Sequence, residues 1–336
     1  MTGGAQLRGR VVRFVAPHRV ELDEIRLPAL AHGELLVRTQ YSGISGGTEM
    51  LAYRGEIDPE LPLDETLGAL RGTFTYPFAY GYSAVGRVER SRGRVREGSL
   101  VFAFHPHQDL FTVSERDVIP LDGRNARTAV LLPLVEAALQ ACLDSGPRYG
   151  EHVAVLGLGC VGILTGTLLA RAGARVIGSE PDPARRAAAA AFGLEAVAPD
   201  QIGGALAGRT QGRGASLLVE ASGNPVALAE GLGLLAHEGT ALVCSWYGTK
   251  PVSLHLGAQF HRRRLEIRSS QVSTIPSRLA GRWDRDRRRG AARALLGELP
   301  LGALATHEFP FERAPEAYAA VDRPERGLLH AALRFA

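Results

Sequence analysis

The chain contains very little lysine, cysteine, methionine or tryptophan. Among its 39 basic residues only Lys250 is a lysine, and it has three cysteines, two methionines and two tryptophans. Cys142, Cys160 and Cys244 are far apart in sequence, so no disulfide framework is expected. No stretch of about 18 uncharged apolar residues is present, and the N-terminus lacks the apolar run of a signal peptide. These absences predict a cytoplasmic protein without a membrane partner.

Positive charge is spread along the whole chain. The formal net charge is +4, and arginine supplies nearly all of the basic residues. Such a bias fits a GC-rich coding sequence at least as well as a binding surface. The one dense run, Arg282 to Arg289, contains two aspartates, and we interpret it as the solvated start of a helix. No nucleic-acid partner is predicted.

A length of 336 residues favours two domains. The first 125 or so residues are rich in short runs of alternating apolar and polar residues, punctuated by Gly, Pro and charged pairs. These runs are VVRFV, RVELDEI, ELLVRTQYSG, AVGRVER, SLVFAF and FTVSE. The pattern predicts a compact β-domain.

The pattern changes after Arg127, where predicted strands alternate with predicted helices. The strands are HVAVLGLG, RVIGSE, SLLVEASG and TALVCSWYG, and the helices are AVLLPLVEAALQACLDSG, CVGILTGTLLARAG, PDPARRAAAAAFG and PVALAEGLGLLAHEG. This alternation indicates a parallel sheet with crossover helices. The tail reads as a helix (AARALLGEL), an extended piece (ALATHEFPF), a helix (APEAYAAV) and a strand (LLHAALRF). We predict a catalytic domain at residues 1–127, completed by residues 272–336, and a dinucleotide domain at residues 128–271.

A glycine-rich turn follows the first strand of the predicted parallel sheet. Gly157, Gly159 and Gly162 form a G-x-G-x-x-G pattern between a buried strand and a helix. The first glycine allows the tight turn, the second lets backbone approach a pyrophosphate, and the third lets helix and strand pack closely. The backbone of Cys160 and Val161 would face the phosphates at the helix N-terminus. We interpret the Cys160 thiol as a small packed group and not as a nucleophile.

Glu180 closes the next predicted strand, 18 residues beyond Gly162. A carboxylate there accepts hydrogen bonds from the adenosine ribose and repels a 2′-phosphate, which favours NAD(H) over NADP(H). Arg185 and Arg186 follow closely and could reach a phosphate, so NADP(H) stays an alternative. Arg185 more simply reaches the ribose or a solvated helix face.

Further candidate cofactor contacts stand at the ends of the later strands, where cofactors lie in folds of this kind. Ser222 and Gly223 follow SLLVE, and Ser245, Trp246 and Tyr247 follow the strand TALVC. The two aromatic side chains wall a pocket or simply pack.

Five segments resemble the medium-chain dehydrogenase/reductase superfamily, and specifically its zinc-type alcohol dehydrogenase-like members. They are ELLVRTQYSGIS, YGYSAVGRVER, REGSLVFAF, GEHVAVLGLGCVG and THEFPFERAPEAY, and the likeness covers nearly the whole chain. The resemblance implies an α/β fold with a GroES-like β-barrel catalytic domain and a Rossmann parallel-sheet domain. It also implies an NAD(P)-dependent oxidoreductase that binds a small-molecule substrate in the interdomain cleft and forms a homodimer.

The residues that bind zinc in such relatives are replaced in this chain. The family's G-I-C loop reads G-I-S, with Ser45 at the cysteine, and its G-H-E strand reads G-Y-S, with Tyr82 at the histidine and Ser83 at the glutamate. Leu132 takes the place of the glutamate in E-P-L, since the matching segment here reads Leu132-Pro133-Leu134. Hydroxyls and a leucine do not supply the ligands that zinc prefers. Three distant cysteines cannot form the second, structural zinc site. We expect a member that lacks both zinc sites, with no other metal.

Hydroxyl and imidazole groups are the candidates to replace zinc in polarising a substrate oxygen and moving a proton. By the resemblance, Tyr82 and Ser45 occupy ligand positions, and Thr48 and Glu49 match the proton-relay hydroxyl and its acidic neighbour. His105 falls where an aromatic wall residue is usual. His105 and His107 are proton-shuttle candidates; a loop histidine without chemistry is the alternative, and an H-x-H metal site lacks an evident third ligand.

The sequence therefore predicts a zinc-independent oxidoreductase that transfers a hydride between NAD(H) and a small organic alcohol or ketone. Two alternatives remain open. One is an NAD(P)H-dependent reductase of a conjugated C=C bond or an iminium, and the other is a non-catalytic dinucleotide-binding protein.

Overall fold

The structure is a computed structural model and describes residues 7–323 and 327–336. The chain divides into two compact units. One consists of the chain up to Pro133 together with Ala305–Ala336, and the other is Leu134–Leu304. We call them the barrel unit and the sheet unit.

The helices and strands alternate along the chain much as the sequence patterns predict. The strands are β1 (Arg8–Ala16), β2 (Arg19–Arg26), β3 (Glu34–Ile44), β4 (Phe78–Ala79), β5 (Ala84–Ser91), β6 (Leu100–Ala103), β7 (Leu110–Ser114), β8 (Val118–Pro120), β9 (His152–Leu156), β10 (Arg175–Ser179), β11 (Glu195–Val197), β12 (Ala215–Glu220), β13 (Leu235–Val243), β14 (Glu266–Ser269), β15 (His307–Pro310) and β16 (Ala331–Arg334). The α-helices are α1 (Thr48–Arg54), α2 (Ala126–Ala129), α3 (Leu132–Ser145), α4 (Cys160–Arg171), α5 (Pro183–Ala190), α6 (Ile202–Thr210), α7 (Pro225–Gly231), α8 (Arg285–Leu295) and α9 (Ala314–Asp322).

The barrel unit contains two sheets. A three-stranded sheet has the order β2-β1-β4, and a seven-stranded sheet has the order β15-β16-β3-β5-β6-β8, with β7 also paired to β3. The C-terminal strand β16 pairs antiparallel with β3, with Ala331 opposite Ile44. The return of the chain to its first domain is therefore built into the sheet by backbone hydrogen bonds.

The sheet unit is a six-stranded parallel sheet in the order β11-β10-β9-β12-β13-β14. The central strands β9 and β12 are buried along almost their whole length, as their continuous apolar sequences predict. The carboxyl ends of β9, β10 and β12 lie in register at one edge, with Leu156 opposite Ser179 and Glu220. Residues just beyond these ends are brought together.

Two boundaries differ between the sequence prediction and the structure, one of a helix and one of a domain. The helix expected over residues 225–239 stops at Gly231, and β13 begins at Leu235, because Leu235 and the residues after it pair with β12 and not with a helical turn. Residues 272–304 belong to the sheet unit, whereas the sequence boundaries assigned them to the first domain. No helix in the described parts of the chain is both long and apolar enough to cross a membrane.

Arg288 in α8 explains why residues 272–304 join the sheet unit. Its side chain is only 2% exposed, and its guanidinium donates to the Glu136 carboxylate at 3.0 Å, to Gln140 and to the Val272 carbonyl. Both hydrogen-bonding side chains lie on α3. The interpretation of the arginine run as a solvated helix start is therefore wrong for Arg288, which is a buried and fully paired cation.

A second buried polar cluster fastens the C-terminal return in the barrel unit. His330 precedes β16 and is 3% exposed, and its Nδ1 accepts a hydrogen bond from Arg127 Nη1 at 3.3 Å. Arg127 also donates to the His307 carbonyl at 2.9 Å. Burial, with smaller contributions from the charges of Arg127 and His107, lowers the pKa of His330 to about 3. The imidazole is thus neutral, with its single N–H proton on Nε2.

Replacing His330 with Asn should reduce the acid sensitivity of the protein. The unfolded chain binds a proton at His330 below about pH 6.5, whereas the folded chain resists it down to about pH 3. Stabilisation by neutral His330 is therefore complete above pH 6.5 and is lost as the pH falls towards 3, by about 2 kcal/mol at pH 5. Asn keeps an acceptor near Nδ1 and does not titrate. Urea denaturation at pH 7 and pH 5 should show a difference about 2 kcal/mol smaller in the variant.

His32→Asn is the matched control, because His32 is an exposed imidazole in the same unit. It should leave the pH dependence of the free energy of unfolding unchanged. If wild type and His330→Asn lose the same free energy between pH 7 and pH 5, His330 is not the buried neutral group described here.

Candidate functional site

The glycine loop after β9 has the geometry that dinucleotide binding needs. Gly157 has φ +86°, and a Cβ there would lie 2.6 Å from Ser222 Cα. A Cβ on Gly162 would lie 1.9 Å from the Gly157 carbonyl oxygen, so α4 packs directly on the turn. A Cβ on Gly159 would meet no atom within 4 Å, which leaves open space beside the backbone. The three glycines therefore differ in role, as the sequence predicts.

α4 begins at Cys160 with Gly159 as its N-cap and has no side-chain cap. Backbone N–H groups in a first helical turn lack intrahelical acceptors and attract anions. Cys160 is buried and Val161 is partly exposed. The backbone of these two residues is placed to face a bound phosphate, while the Cys160 side chain packs inward.

Glu180 follows β10 and is 4% exposed. Its Oε2 accepts a hydrogen bond from the Leu158 N–H at 2.8 Å, and its Oε1 accepts one from Asp182 N–H at 3.1 Å. The carboxylate thus holds the glycine loop, and its remaining lone pairs can accept from ribose hydroxyls. Arg186 donates to the Glu180 carbonyl at 2.7 Å, and Arg185 Nε lies 4.0 Å from Asp182 Oδ2.

Glu220, which the sequence analysis did not single out, organises the turn after β12. It is 0% exposed, and its Oε1 accepts hydrogen bonds from Ser222 N–H at 2.7 Å, Ser222 Oγ at 2.6 Å and Gly223 N–H at 3.0 Å. Ser245 Oγ also accepts from Gly223 N–H at 2.9 Å. Four predicted cofactor-side residues, Gly157, Ser222, Gly223 and Ser245, are therefore brought together. Glu220 could have been found from the sequence, because it is a carboxylate at the end of a predicted buried strand.

The two aromatic residues after β13 behave differently. Trp246 is 43% exposed, whereas Tyr247 packs on the hydrophobic core of the sheet unit. Burial, and then the nearby charge of Glu220, raises the pKa of the Tyr247 phenol. The packing interpretation therefore holds for Tyr247.

Three hydroxyls meet in the barrel unit at positions predicted to replace zinc ligands and a relay group. The hydroxyls of Ser45, just after β3, and Thr48, at the start of α1, lie near the Tyr82 phenol and act to lower its pKa. Burial, and then the Glu49 charge, raises the pKa of Tyr82 to about 12, against the smaller effect of these hydroxyls. Tyr82 and Thr48 keep part of their surface exposed. At neutral pH this cluster presents a protonated phenol to any ligand that reaches it.

A buried carboxylate lies behind the hydroxyl cluster. Glu49 is 0% exposed; its Oε1 accepts from the Ser45 N–H at 2.9 Å, and its Oε2 accepts from the Tyr318 hydroxyl at 2.5 Å. His107 Nε2 lies 2.8 Å from the same Oε2. With the Glu49 oxygen as acceptor, the hydrogen bond assigns the His107 N–H to Nε2.

The other ring nitrogen of His107 also has a partner. Nδ1 contacts the hydroxyl of Ser42, and both residues are 0% exposed. With a neutral ring the Ser42 hydroxyl donates to Nδ1, and with a protonated ring the direction reverses. Ser42, His107, Glu49 and Tyr318 therefore form one buried, hydrogen-bonded set. We call these four residues the buried proton cluster.

Sequence reasoning found part of this arrangement. It predicted Tyr82, Ser45, Thr48, Glu49 and His107, and the structure brings all five together in one unit. Ser42 and Tyr318 were missed. In the sequence Ser42 is a small residue within a strand, and Tyr318 lies on the apolar face of a helix. Neither position has a neighbouring motif that would indicate a role in a polar site.

His105 has a different set of contacts from His107. Its ring stacks on Phe111 at a centroid distance of 4.0 Å, and its Nδ1 lies 3.2 Å from the Pro106 carbonyl oxygen. Burial lowers the pKa of His105 to about 4, so the imidazole is neutral at physiological pH. These are contacts of a packed histidine, and a proton-shuttle role for His105 stays a prediction.

The donor set at the zinc positions does not fit a zinc ion. Ser45 and Tyr82 offer only hydroxyl groups, and Ser83 donates its hydroxyl to the Val130 carbonyl at 2.6 Å. Neutral hydroxyls are poor zinc ligands beside thiolate, imidazole and carboxylate. Within residues 7–323 and 327–336, no three His, Cys, Asp or Glu side chains converge in a way that could hold a metal.

A parallel sheet with this glycine loop, joined in one chain to a β-unit with a buried polar site, is the architecture of a two-domain dehydrogenase. The sequence model of the zinc-binding dehydrogenase family matches residues 160–285. The chain is 30% identical over 337 residues to 2-desacetyl-2-hydroxyethyl bacteriochlorophyllide A dehydrogenase of Rhodobacter capsulatus, covering 92% of this chain and 93% of that one. It is 27% identical over 331 residues to D-guloside 3-dehydrogenase of Escherichia coli K12, covering 90% and 93%. The chain belongs to the medium-chain dehydrogenase/reductase superfamily and is an oxidoreductase of that superfamily.

Solved structures confirm the predicted α/β fold. A protein of Sinorhizobium meliloti 1021 bound to NADP matches with a TM-score of 0.77 and 18% identity, covering 98% of this chain and 100% of that chain. A short chain alcohol dehydrogenase of Escherichia coli CFT073 complexed with NADH matches with a TM-score of 0.77 and 17% identity, covering 98% and 99%. At these identities the likeness concerns the fold.

Tyr318→Phe should destabilise the barrel unit more than loss of an ordinary tyrosine hydrogen bond. The variant removes a donor from a buried carboxylate, and hydrogen bonds to charged groups contribute about 1.5–3 kcal/mol. Burial and the Glu49 charge both raise the pKa of Tyr318, so the wild-type phenol is a donor throughout the measurable pH range. Urea denaturation at pH 7 should show that loss in the free energy of unfolding.

Tyr76→Phe supplies the comparison, because the Tyr76 hydroxyl donates to the neutral Ala52 carbonyl at 2.6 Å. A neutral bond is expected to contribute about 1 kcal/mol. Equal losses in the two variants would show that Glu49 is not the charged centre of the buried proton cluster.

Proposed function

We propose that the protein is a zinc-independent oxidoreductase that transfers a hydride between NAD(H) and a small organic alcohol or ketone. The observation that carries this proposal is the hydroxyl cluster of Tyr82, Ser45 and Thr48. It supplies hydrogen-bond donors at the positions where, by the family resemblance, zinc-containing relatives hold a metal. Both curated relatives described above are named dehydrogenases, which supports this reaction class.

The bound dinucleotide would supply the hydride chemistry, and the backbone of the glycine loop with Glu180 would hold it. The remaining tasks belong to the barrel unit. Tyr82 donates its phenolic proton to the substrate oxygen as that oxygen gains charge, and Ser45 and Thr48 stabilise the phenolate left behind. In the oxidation direction the same proton returns to Tyr82 from the alcohol.

The buried proton cluster favours the protonated form of Tyr82. Burial, and then the Glu49 charge, raises the pKa of the phenol, which is therefore protonated at neutral pH. Glu49 also accepts from the Ser45 backbone N–H, which fixes the loop that carries Ser45.

We propose NAD(H) as the preferred cofactor. Glu180 is a buried carboxylate at the place where a 2′-phosphate would have to fit, and its charge disfavours that phosphate. Arg185 and Arg186 lie close to Glu180 and keep NADP(H) as an alternative. Solved neighbours bound to NADP and to NADH support a nicotinamide cofactor of either kind.

A homodimer in the cytoplasm also belongs to this proposal. Strand β14 forms one edge of the parallel sheet, and all four of its residues are exposed, including the apolar side chain of Ile267. An exposed edge strand is a template for pairing with another chain, and a second copy of this edge is the partner we expect.

Tyr82→Phe should lower turnover by about 10²–10³-fold, as expected when one donor to a charged oxygen is removed. The assay measures NAD(H) absorbance with a panel of secondary alcohols and their ketones, and the same panel is run with NADP(H). Wild type should turn over members of this panel faster with NAD(H). The dissociation constant for NADH, measured by fluorescence, should be unchanged in the variant.

Tyr80→Phe is the control, because Tyr80 is a buried aromatic in the same segment and forms no part of the hydroxyl cluster. It should keep wild-type turnover. Unchanged turnover in Tyr82→Phe would remove Tyr82 from the mechanism. Strict dependence on an enone or iminium would favour the second reaction class, and tight NADH binding without any turnover would favour a non-catalytic dinucleotide-binding protein.

A further inference from the structure

A cavity of about 510 Å³ lies on the barrel unit, apart from the hydroxyl cluster. Residues between Gly68 and Pro77 form one wall, and Arg13 of β1 and strand β4 form another. Its volume falls in the range of small-molecule sites, about 300–1,000 Å³. Pro106, between His105 and His107, also lines it, so its wall is continuous with the segment that carries the buried imidazole.

The charge in this cavity has one sign. Arg13 and Arg71 line it, and none of the lining residues is an aspartate or glutamate. The nearest acid engaged with the lining is Asp23, whose carboxylate accepts from Arg13 Nε at 2.5 Å. A recess whose charged lining residues are all cationic, with apolar walls such as Phe78, attracts anions.

Arg13 and Arg71 both hydrogen-bond to the protein through Nε and not through their Nη groups. Arg71 Nε donates to the Gly68 carbonyl at 3.1 Å, and Arg13 Nε donates to Asp23. Among the described residues, neither guanidinium donates an Nη group to another protein group. The fixed Nε leaves the terminal N–H groups in the planar arrangement that suits carboxylate and phosphate oxygens.

Threonine hydroxyls add a neutral donor to the same wall. Thr75 donates its hydroxyl to the Pro59 carbonyl at 3.0 Å, so it is engaged. Thr73 Oγ1 accepts a weak hydrogen bond from the Thr75 N–H at 3.4 Å, and its own proton remains available to a ligand oxygen.

We propose that this cavity binds the anionic group, a carboxylate or a phosphate, of a small organic molecule. The Nη groups of Arg13 and Arg71 are the cationic contacts, and the Thr73 hydroxyl is the neutral donor. The anion has two sources to separate: the charged end of a substrate, or a free anion that binds without being a substrate. The binding claim goes beyond the proposed function and does not depend on turnover.

Arg71→Gln should weaken binding of propanoate and of inorganic phosphate by about tenfold, the loss expected for one charge-assisted contact. The probes are titrated into the full chain, and amide chemical shifts in two-dimensional NMR report binding and its location. Shifts should centre on the segment from Gly68 to Pro77. Propanamide, which has the same shape without charge, should not shift these signals. Arg96→Gln removes an exposed arginine elsewhere on the same unit and should leave binding unchanged.

A kinetic arm identifies the source of the anion. If the substrate supplies it, Arg71→Gln raises KM about tenfold for hydroxy acids, leaves KM for the matching hydroxy amides unchanged, and leaves kcat unchanged for both. If a free anion is the ligand, binding weakens in Arg71→Gln while KM values for hydroxy acids stay the same.

The proposal is overturned if propanoate and phosphate leave these signals unshifted, or if Arg71→Gln binds them as tightly as wild type. The double variant Arg13→Gln/Arg71→Gln tests whether one arginine compensates for loss of the other. If the double variant still binds propanoate and phosphate as wild type does, the proposal is also overturned. If the protein turned over no alcohol in the panel, the proposed function would be refuted. The NMR titration would still show whether the cavity binds anions.

Discussion

The buried carboxylate of Glu49 is the constraint on which the candidate site depends. A fully buried charge is costly unless hydrogen bonds surround it, and removal of one partner leaves an uncompensated charge. The partners of Glu49 come from three separate parts of the chain: the loop after β3, the segment that follows β6, and the C-terminal helix α9. The barrel unit must keep these parts together. The same charge adds to the effect of burial in raising the pKa of Tyr82, so one group links folding to the chemistry of the hydroxyl cluster.

Much of the fold could be predicted from the sequence because it is carried by local patterns. Continuous apolar strands, a glycine turn with three distinct steric roles and helical spacing between strands identified the parallel sheet. The exceptions have tertiary causes. Leu235 was placed in a helix but pairs with β12, and Arg288 looked solvated yet lies against Glu136 and Gln140 on α3. Neither contact can be read from neighbouring residues, because the partners are distant in sequence.

The residues of the candidate site also fall into two groups, those predicted from local motifs and those placed by tertiary contacts. Tyr82, Ser45, Thr48 and Glu49 were predicted because they occupy recognisable motif positions. Ser42 and Tyr318 could not be, since what matters is where β3 and α9 place them around Glu49 and His107. His105 and His107 are two residues apart and looked equivalent. One stacks on Phe111 and the other bonds to a carboxylate. Residues two apart on a regular extended chain share one face, so the difference follows from the irregular backbone of this segment, which bends at His107.

The central claim is that side-chain hydroxyls, without a metal cation, polarise the substrate oxygen. The most direct measurement is the zinc content of purified, active protein by mass spectrometry, together with turnover before and after treatment with a strong chelator. The account predicts far less than one zinc per chain and unchanged turnover. Stoichiometric zinc, with activity lost on chelation and restored by added zinc, would contradict it.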